Sequence, residues 1–395
     1  VPSTLGTATT AERGPAPRGA LPLLLLASTL SVLAGAVISP VLPMIRADLR
    51  LSGTAVGLVL TTHGLVIAVA SPLVGRAVDR WGFRGPLAAG LLVYALAGAA
   101  GLVVESYRLL IASRVVFGVG AALLFAATTT AMLTLYTGPH RDRAMGWRSS
   151  ATAAGGIVWP LAGGALGALS WHAPFGVYLI ALPFALGALA LLPSAAPVPG
   201  ERERGGLPAL LRARPVLLLY YGLQLTMASL LYCIVVFLPL RLADLGVRSP
   251  LLLSVFTAVT SAAATAVGFG YARLRATASY TALLRSSVAL WAAGFLLLGV
   301  AAHPVPLGAG AALFGLGQGV AFPALTVLIG DAAPERLRGR ATALTGTTMF
   351  LGQFATPLLF GPLADRIGVA RGYLIVAGIL AALATGLACS RPGPR

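Results

Sequence analysis

Long apolar runs return again and again along this chain, separated by short polar breaks, and this pattern most restricts its fold. About 20 apolar residues suffice to cross the hydrocarbon core of a bilayer as a helix. Within that core each backbone N–H and C=O must be satisfied without water, so successive apolar runs of this length demand a helical bundle. Reading between the breaks predicts twelve spans, near 20–45, 54–75, 85–104, 108–135, 144–169, 172–192, 215–240, 250–271, 279–301, 306–330, 341–362 and 371–390. Only 10% of the 395 residues are charged, against roughly 25% in soluble domains. The expected fold class is an all-α polytopic membrane protein. Its organisation reads as a cytoplasmic tail (1–19), a six-helix half (20–192), a Pro/Gly-rich charged linker (193–214), a second six-helix half (215–390) and a short cytoplasmic tail (391–395).

The net charge is +17, and every basic residue is arginine. These arginines sit in short breaks between apolar runs, whereas a nucleic-acid binder gathers them on one soluble face. Their placement sets orientation, because cytoplasmic loops carry the excess of positive charge. With the N-terminus inside, twenty of the 28 fall in inner segments, among them Arg76, Arg80, Arg84, Arg141, Arg143, Arg148, Arg338 and Arg340. Both termini are then cytoplasmic, and the chain is expected in the cell membrane. Cys233 and Cys389 are far apart in apolar segments and form no metal or redox motif.

The sequence also repeats. Shifted by 197, residues 114–164 fall on 311–361 without a gap: Phe117, Gly118 and Gly120 on Phe314, Gly315 and Gly317, and Arg141 and Arg143 on Arg338 and Arg340. Gly155, Pro160 and Gly164 fall on Gly352, Pro357 and Gly361. A parallel repeat of six spans places the two halves around an axis along the membrane normal, with a path between them.

These features resemble the major facilitator superfamily of secondary transporters. The loop after the second span carries Gly75, Asp79, Arg80, Gly82 and Arg84, similar to the family's Gly-x-x-x-Asp-Arg-x-Gly-x-Arg pattern. Span four resembles the family at Arg114, Gly118, Gly120, Ala121 and Ala122. Span five resembles its antiporter motif at Gly155, Pro160, Gly163 and Gly164, with Trp159 where the family has glycine. The overall pattern looks most like the twelve-span drug and metabolite exporters. The resemblance implies that Asp79 latches the halves together on the cytoplasmic side by facing the inner end of span eleven, near Arg338 and Arg340. It also implies a central path lined by spans one, four, seven and ten, with candidates Ser28, Ser31, Thr129, Tyr220, Tyr221, Gln224, Tyr232, Gln318, Phe322 and Thr326, and Gln353 and Trp159 beside them.

Arg114 lies about six residues into its span, some 9 Å from the outer end at about 1.5 Å per residue. A charge at that depth is costly and normally faces a cavity or a partner. Coupling, binding of an anionic group, snorkelling to the outer surface and pairing with Glu105 are the roles open to it. No carboxylate sits mid-span, and His63 is the mid-span imidazole that could carry a proton. "GPLADRIG" (361–368) looks like a second copy of the loop motif, but the repeat puts it at the outer end of span eleven, where Asp365 and Arg366 read as a loop pair. The expectation is a proton-driven exporter of small amphipathic compounds that works by alternating access as a monomer. An importer or facilitator of a nutrient or organic anion is the alternative. Four scattered histidines and no acid cluster argue against an enzyme. No cofactor, metal or nucleic acid is expected.

Overall fold

A computed structural model describes residues 17, 19–194, 211, 212, 214–333 and 338–389, with the side chains of 338–340, 342, 343, 388 and 389 left out. Twelve long helices run through the described residues: α1 (Ala20–Asp48), α2 (Gly53–Trp81), α3 (Arg84–Leu102), α4 (Tyr107–Leu135), α5 (Gly138–Gly167), α6 (Ala173–Leu191), α7 (Val216–Asp244), α8 (Pro250–Thr277), α9 (Tyr280–Val300), α10 (Pro304–Ala332), α11 (Arg338–Ile367) and α12 (Val369–Cys389). The bundle of twelve matches the sequence expectation. Several helices outrun the apolar spans, because a helix continues for as long as its backbone hydrogen bonds do. α5 begins at Gly138 rather than 144, and α8 ends at Thr277 rather than 271. α1 breaks into a 3-10 turn at Ser39–Val41, where Pro40 lacks the N–H that a continuous helix needs.

Ten of the helices are apolar enough to cross a membrane on composition. α5 and α11 are the two that are not, and they are repeat mates rich in Gly, Ala, Ser and Thr. Small residues let helix backbones approach closely, and these two helices pack along the seams between the halves. Large apolar side chains such as Leu96, Leu186, Leu296 and Ile379 stand exposed on the other helices, and Val158 and Leu359 on these two. Within the first half α3 and α4 cross where Gly90 meets Gly120, and within the second α9 and α10 cross where Gly294 meets Gly310.

Two long seams join the halves: α2 against α11, and α5 against α8. Each exchanges with the other under the repeat. Both close at one end only. On α2, Gly53 lies against Asp365, Gly57 against Pro357 and Gly64 against the Phe350 carbonyl. Gly75 is eleven residues beyond Gly64, three turns along and within about 20° of the same face, yet no described atom lies within 4 Å of the position its Cβ would take. The second seam behaves alike. Gly167 meets Pro250, Gly164 meets Ser254 and Gly156 meets Ser261, whereas Gly268, seven residues past Ser261 on the same face, faces open space. The halves are therefore packed at the end holding Asp365 and Pro250. Among the described residues they stand apart at the end holding Gly75 and Gly268, which is the arginine-rich end. There α7, α10 and α11 form a separate small core of Leu217, Tyr221, Ile329, Ala333 and Ala341.

Candidate functional site

The closed end is sealed by a carboxylate. Asp365 is not a loop residue but lies in the last turns of α11, and its side chain crosses to the first half. The Gly53 N–H donates to Asp365 Oδ1 at 2.7 Å, the Thr54 N–H donates to Oδ2 at 3.2 Å, and the Thr54 hydroxyl donates to the same oxygen at 3.1 Å. The first N–H groups of any helix lack an intrahelical acceptor, and a negative group there is favoured by the helix dipole. Ser52, the residue before α2, accepts only from the Ala55 N–H at 3.1 Å. Asp365 thus supplies from the other half the acceptors that Gly53 and Thr54 need. Arg46 adds a longer ion pair at 3.9 Å. Ser39 on α1 donates to the Val235 carbonyl on α7 at 2.5 Å and ties the halves a second time at this end.

At the open end the loop motif is split between two tasks. Gly82 ends α2 with a φ of 72°, which glycine adopts without strain. Arg84 turns away from the opening: it donates to Ser194 Oγ at 2.8 Å and to the Leu189 carbonyl, clamping the end of α6. Asp79 and Arg80 are exposed. The side chains of Arg338 and Arg340, proposed partners of Asp79, lie outside the described residues.

Arg114 sits wholly inside the first half, 1% exposed. Its Nη2 donates to the carbonyls of Ala97 at 3.1 Å and Gly98 at 2.7 Å. These are C-terminal carbonyls of α3, the negative end of a helix dipole. Phe117, Phe175 and Tyr178 surround the guanidinium, with ring centroids at 4.8, 5.2 and 5.4 Å, so cation–π attraction supplements the hydrogen bonds. It neither reaches the surface nor meets Glu105, which is exposed. His63 packs beside it, edge-on to Phe117 at 5.6 Å and 2% exposed, with Nδ1 unpartnered.

The span-five residues divide between two neighbours. Gly155, Trp159 and Gly163 face α1, where Trp159 Nε1 donates to the Thr29 carbonyl at 3.1 Å. The buried Pro160 and Gly164 belong to the side turned to α8. The tryptophan in place of glycine therefore fills and hydrogen-bonds the α1–α5 seam.

The Major Facilitator Superfamily model matches residues 24–357. The chain belongs to that family. Multidrug resistance protein 1 of Bacillus subtilis (strain 168) is 32% identical over 139 residues, 35% of this chain and 36% of that protein. The cephamycin export protein CmcT of Amycolatopsis lactamdurans is 33% identical over 187 residues, 47% and 37% of the two chains. The multidrug efflux pump LfrA of Mycolicibacterium smegmatis is 34% identical over 180 residues, 45% and 34%. The chain thus spans little more than a third of the length of each of these relatives. Among solved structures, the nucleoside transporter NupG superposes with a TM-score of 0.77 at 13% identity, covering 93% of this chain and 99% of that one. A D-xylose-proton symporter gives 0.76 at 15% identity, covering 94% and 97%. The chain is a multi-pass membrane protein of the major facilitator superfamily, closed at one end.

The residues marked as path candidates scatter across this major facilitator. Tyr232 and Gln353 lie between the halves, the first with its hydroxyl against Gly35 and the second against Gly64. Gln224 is fully buried, and Tyr221 donates to the Ala341 carbonyl at 2.9 Å inside the second half. Ser28, Ser31 and Thr129 donate to carbonyls of their own helices at 2.7 Å each. Tyr220 and Gln318 are half-buried, and Phe322 and Thr326 are exposed. Sequence reasoning missed Tyr94 and Tyr178, whose hydroxyls hold α1 through the carbonyls of Leu30 at 2.6 Å and Ala34 at 2.9 Å.

Two outcomes follow. Asp365→Ala removes the caps of two first-turn amides, worth about 1 kcal/mol, or about a fivefold shift of the closed end toward opening. In protein lacking Cys233 and Cys389, maleimide labelling of Ser254→Cys at the buried seam rises accordingly. Arg114→Ala frees two buried carbonyls and leaves a void, so it costs about 2–4 kcal/mol. Its thermal midpoint falls in dodecylmaltoside, and Arg114→Lys recovers part of the loss.

Proposed function

We propose that the protein exports small amphipathic compounds by alternating access, driven by the proton gradient. The observation that carries this reading is the one-ended packing of the two seams. Among the described residues the α2–α11 seam is packed from the Asp365 end as far as Gly64 and the Phe350 carbonyl and is apart beyond it, at Gly75. By the positive-inside rule that open end is cytoplasmic, which is where an exporter collects its cargo. The names of the similar proteins, a multidrug efflux pump and a cephamycin export protein among them, support efflux over uptake.

In this reading the halves rock about the middle of the bundle. The seal at Asp365 breaks as the arginine-rich end closes, and Asp79 then takes the equivalent post near Arg338 and Arg340. The two carboxylates would hold opposite states. Protons enter through His63, which is packed away between α2 and α4 here and would be reached in the other state.

Proteoliposomes with an imposed pH gradient test the coupling. Dye accumulation should follow the gradient and stop when an ionophore collapses it, and indifference to that collapse would remove the proton from the mechanism. Asp79→Asn should give a folded, monodisperse protein that transports at about a tenth of the wild-type rate or less, as expected for loss of about 1.4 kcal/mol or more from a latched state. Normal transport by the variant would leave Asp79 with no latching role.

A further inference from the structure

Arg148 stands ten residues into α5, about 15 Å from its start. It shares a helical face with Gly155 and Trp159. Its guanidinium lies 5.7 Å from the ring centroid of Phe125 on α4. Phe125 meets Phe350 on α11 edge to face at 5.9 Å, and Gly346 opens onto the same ring. One cation and two aromatic rings, from both halves, therefore converge where the closed part of the bundle ends. Phe350 is fifteen residues from Asp365, about 22 Å below the seal.

The surroundings of this arginine differ from those of Arg114. Among the described residues no carbonyl, hydroxyl or carboxylate accepts from its guanidinium; beyond the backbone bonds of the helix, its carbonyl accepts from the Thr152 hydroxyl at 2.9 Å. Its nitrogens are not among the sealed, unpartnered atoms of the interior, so a partner from outside the bundle can reach them. Among the described residues acids lie only toward helix ends: Asp48, Glu105, Asp244 and Asp365 at the closed end, Asp79, Asp142 and Asp331 at the open end. A half-buried cation inside a membrane protein is costly without a partner. Guanidinium offers five N–H donors in a fork that matches a carboxylate or sulfonate. The neighbouring rings offer faces and edges on which an aromatic body can pack.

We propose that Arg148, Phe125 and Phe350 form a charge-selecting subsite that takes an organic anion bearing an aromatic or bulky apolar group, and disfavours organic cations. Arg148 pairs with the anionic head and the two phenylalanines hold the apolar body. The subsite rests on the transport reading for its purpose but not for its binding chemistry.

Three probes of one shape test it: naphthoate, neutral naphthamide and cationic naphthylmethylammonium. Binding is measured on the full chain in nanodiscs and flux in proteoliposomes. Wild-type protein should bind naphthoate about tenfold or more tighter than the cation, in line with a charge-assisted pair. Arg148→Gln should weaken naphthoate about tenfold and spare naphthamide, with Arg148→Lys between the two. Phe125→Leu should weaken naphthoate and naphthamide together. The proposal is overturned if wild-type protein shows no preference for the anion or does not bind it. It is equally overturned if Arg148→Gln binds naphthoate as wild type does, or loses all three probes alike. Selective binding without flux of any probe would leave the subsite standing and remove the transport reading.

Discussion

A peptide N–H withdrawn from water needs an acceptor, and at the start of a helix the helix itself offers none. The start of α2 meets this demand with a carboxylate from the other half of the molecule, Asp365 on α11. The consequence is mechanical. The halves cannot part at this end without leaving Gly53 and Thr54 to find water. The matching seam uses no such device. There α8 begins with Pro250, which has no N–H to satisfy, and Gly164 and Gly167 let the backbones close directly. One seam is thus held by charge and hydrogen bonds and the other by shape. An end closed in this way can be reopened by a modest change in free energy, as the proposed transport cycle requires.

The first half contains two arginines at membrane depth with opposite surroundings. Arg114 is enclosed by the α3 carbonyls and three aromatic rings, and it fastens α3, α4 and α6 into one body. A half stiffened in this way can rock as a unit rather than bend. Arg148 has a ring on one side and nitrogens that a partner from outside the bundle can reach. The first arginine explains how the half holds together. The second supplies charge to the proposed subsite.

Much of the architecture was legible in the sequence, because hydropathy, arginine bias and the 197-residue offset are local or periodic signals. They specify twelve helices in two like halves. The role of Asp365 was not legible: its partners are 312 and 311 residues away, and its motif suggested a loop. Arg114 stood out as a charge in a span, but its acceptors are backbone carbonyls, which every residue carries and no sequence distinguishes. Arg148 was counted with the orientation-setting arginines, since a helix that begins six residues before its apolar stretch draws loop-like residues into the bundle. Tyr94 and Tyr178 were passed over for the same reason as the carbonyls they bind.

In the proposed cycle the two ends of the bundle are coupled, one closed while the other is open. Pulsed electron–electron resonance on spin labels at both ends tests it most directly. Val103 and His303 are exposed at the closed end, one in each half, and Trp81 and Thr277 are exposed at the open end, again one in each half. The expected result in nanodiscs is a short, narrow distance for the first pair and a long one for the second, with the two moving in opposite directions when a transported compound and a pH gradient are applied. Distances that stay fixed at both ends, or that shorten or lengthen together, would contradict it.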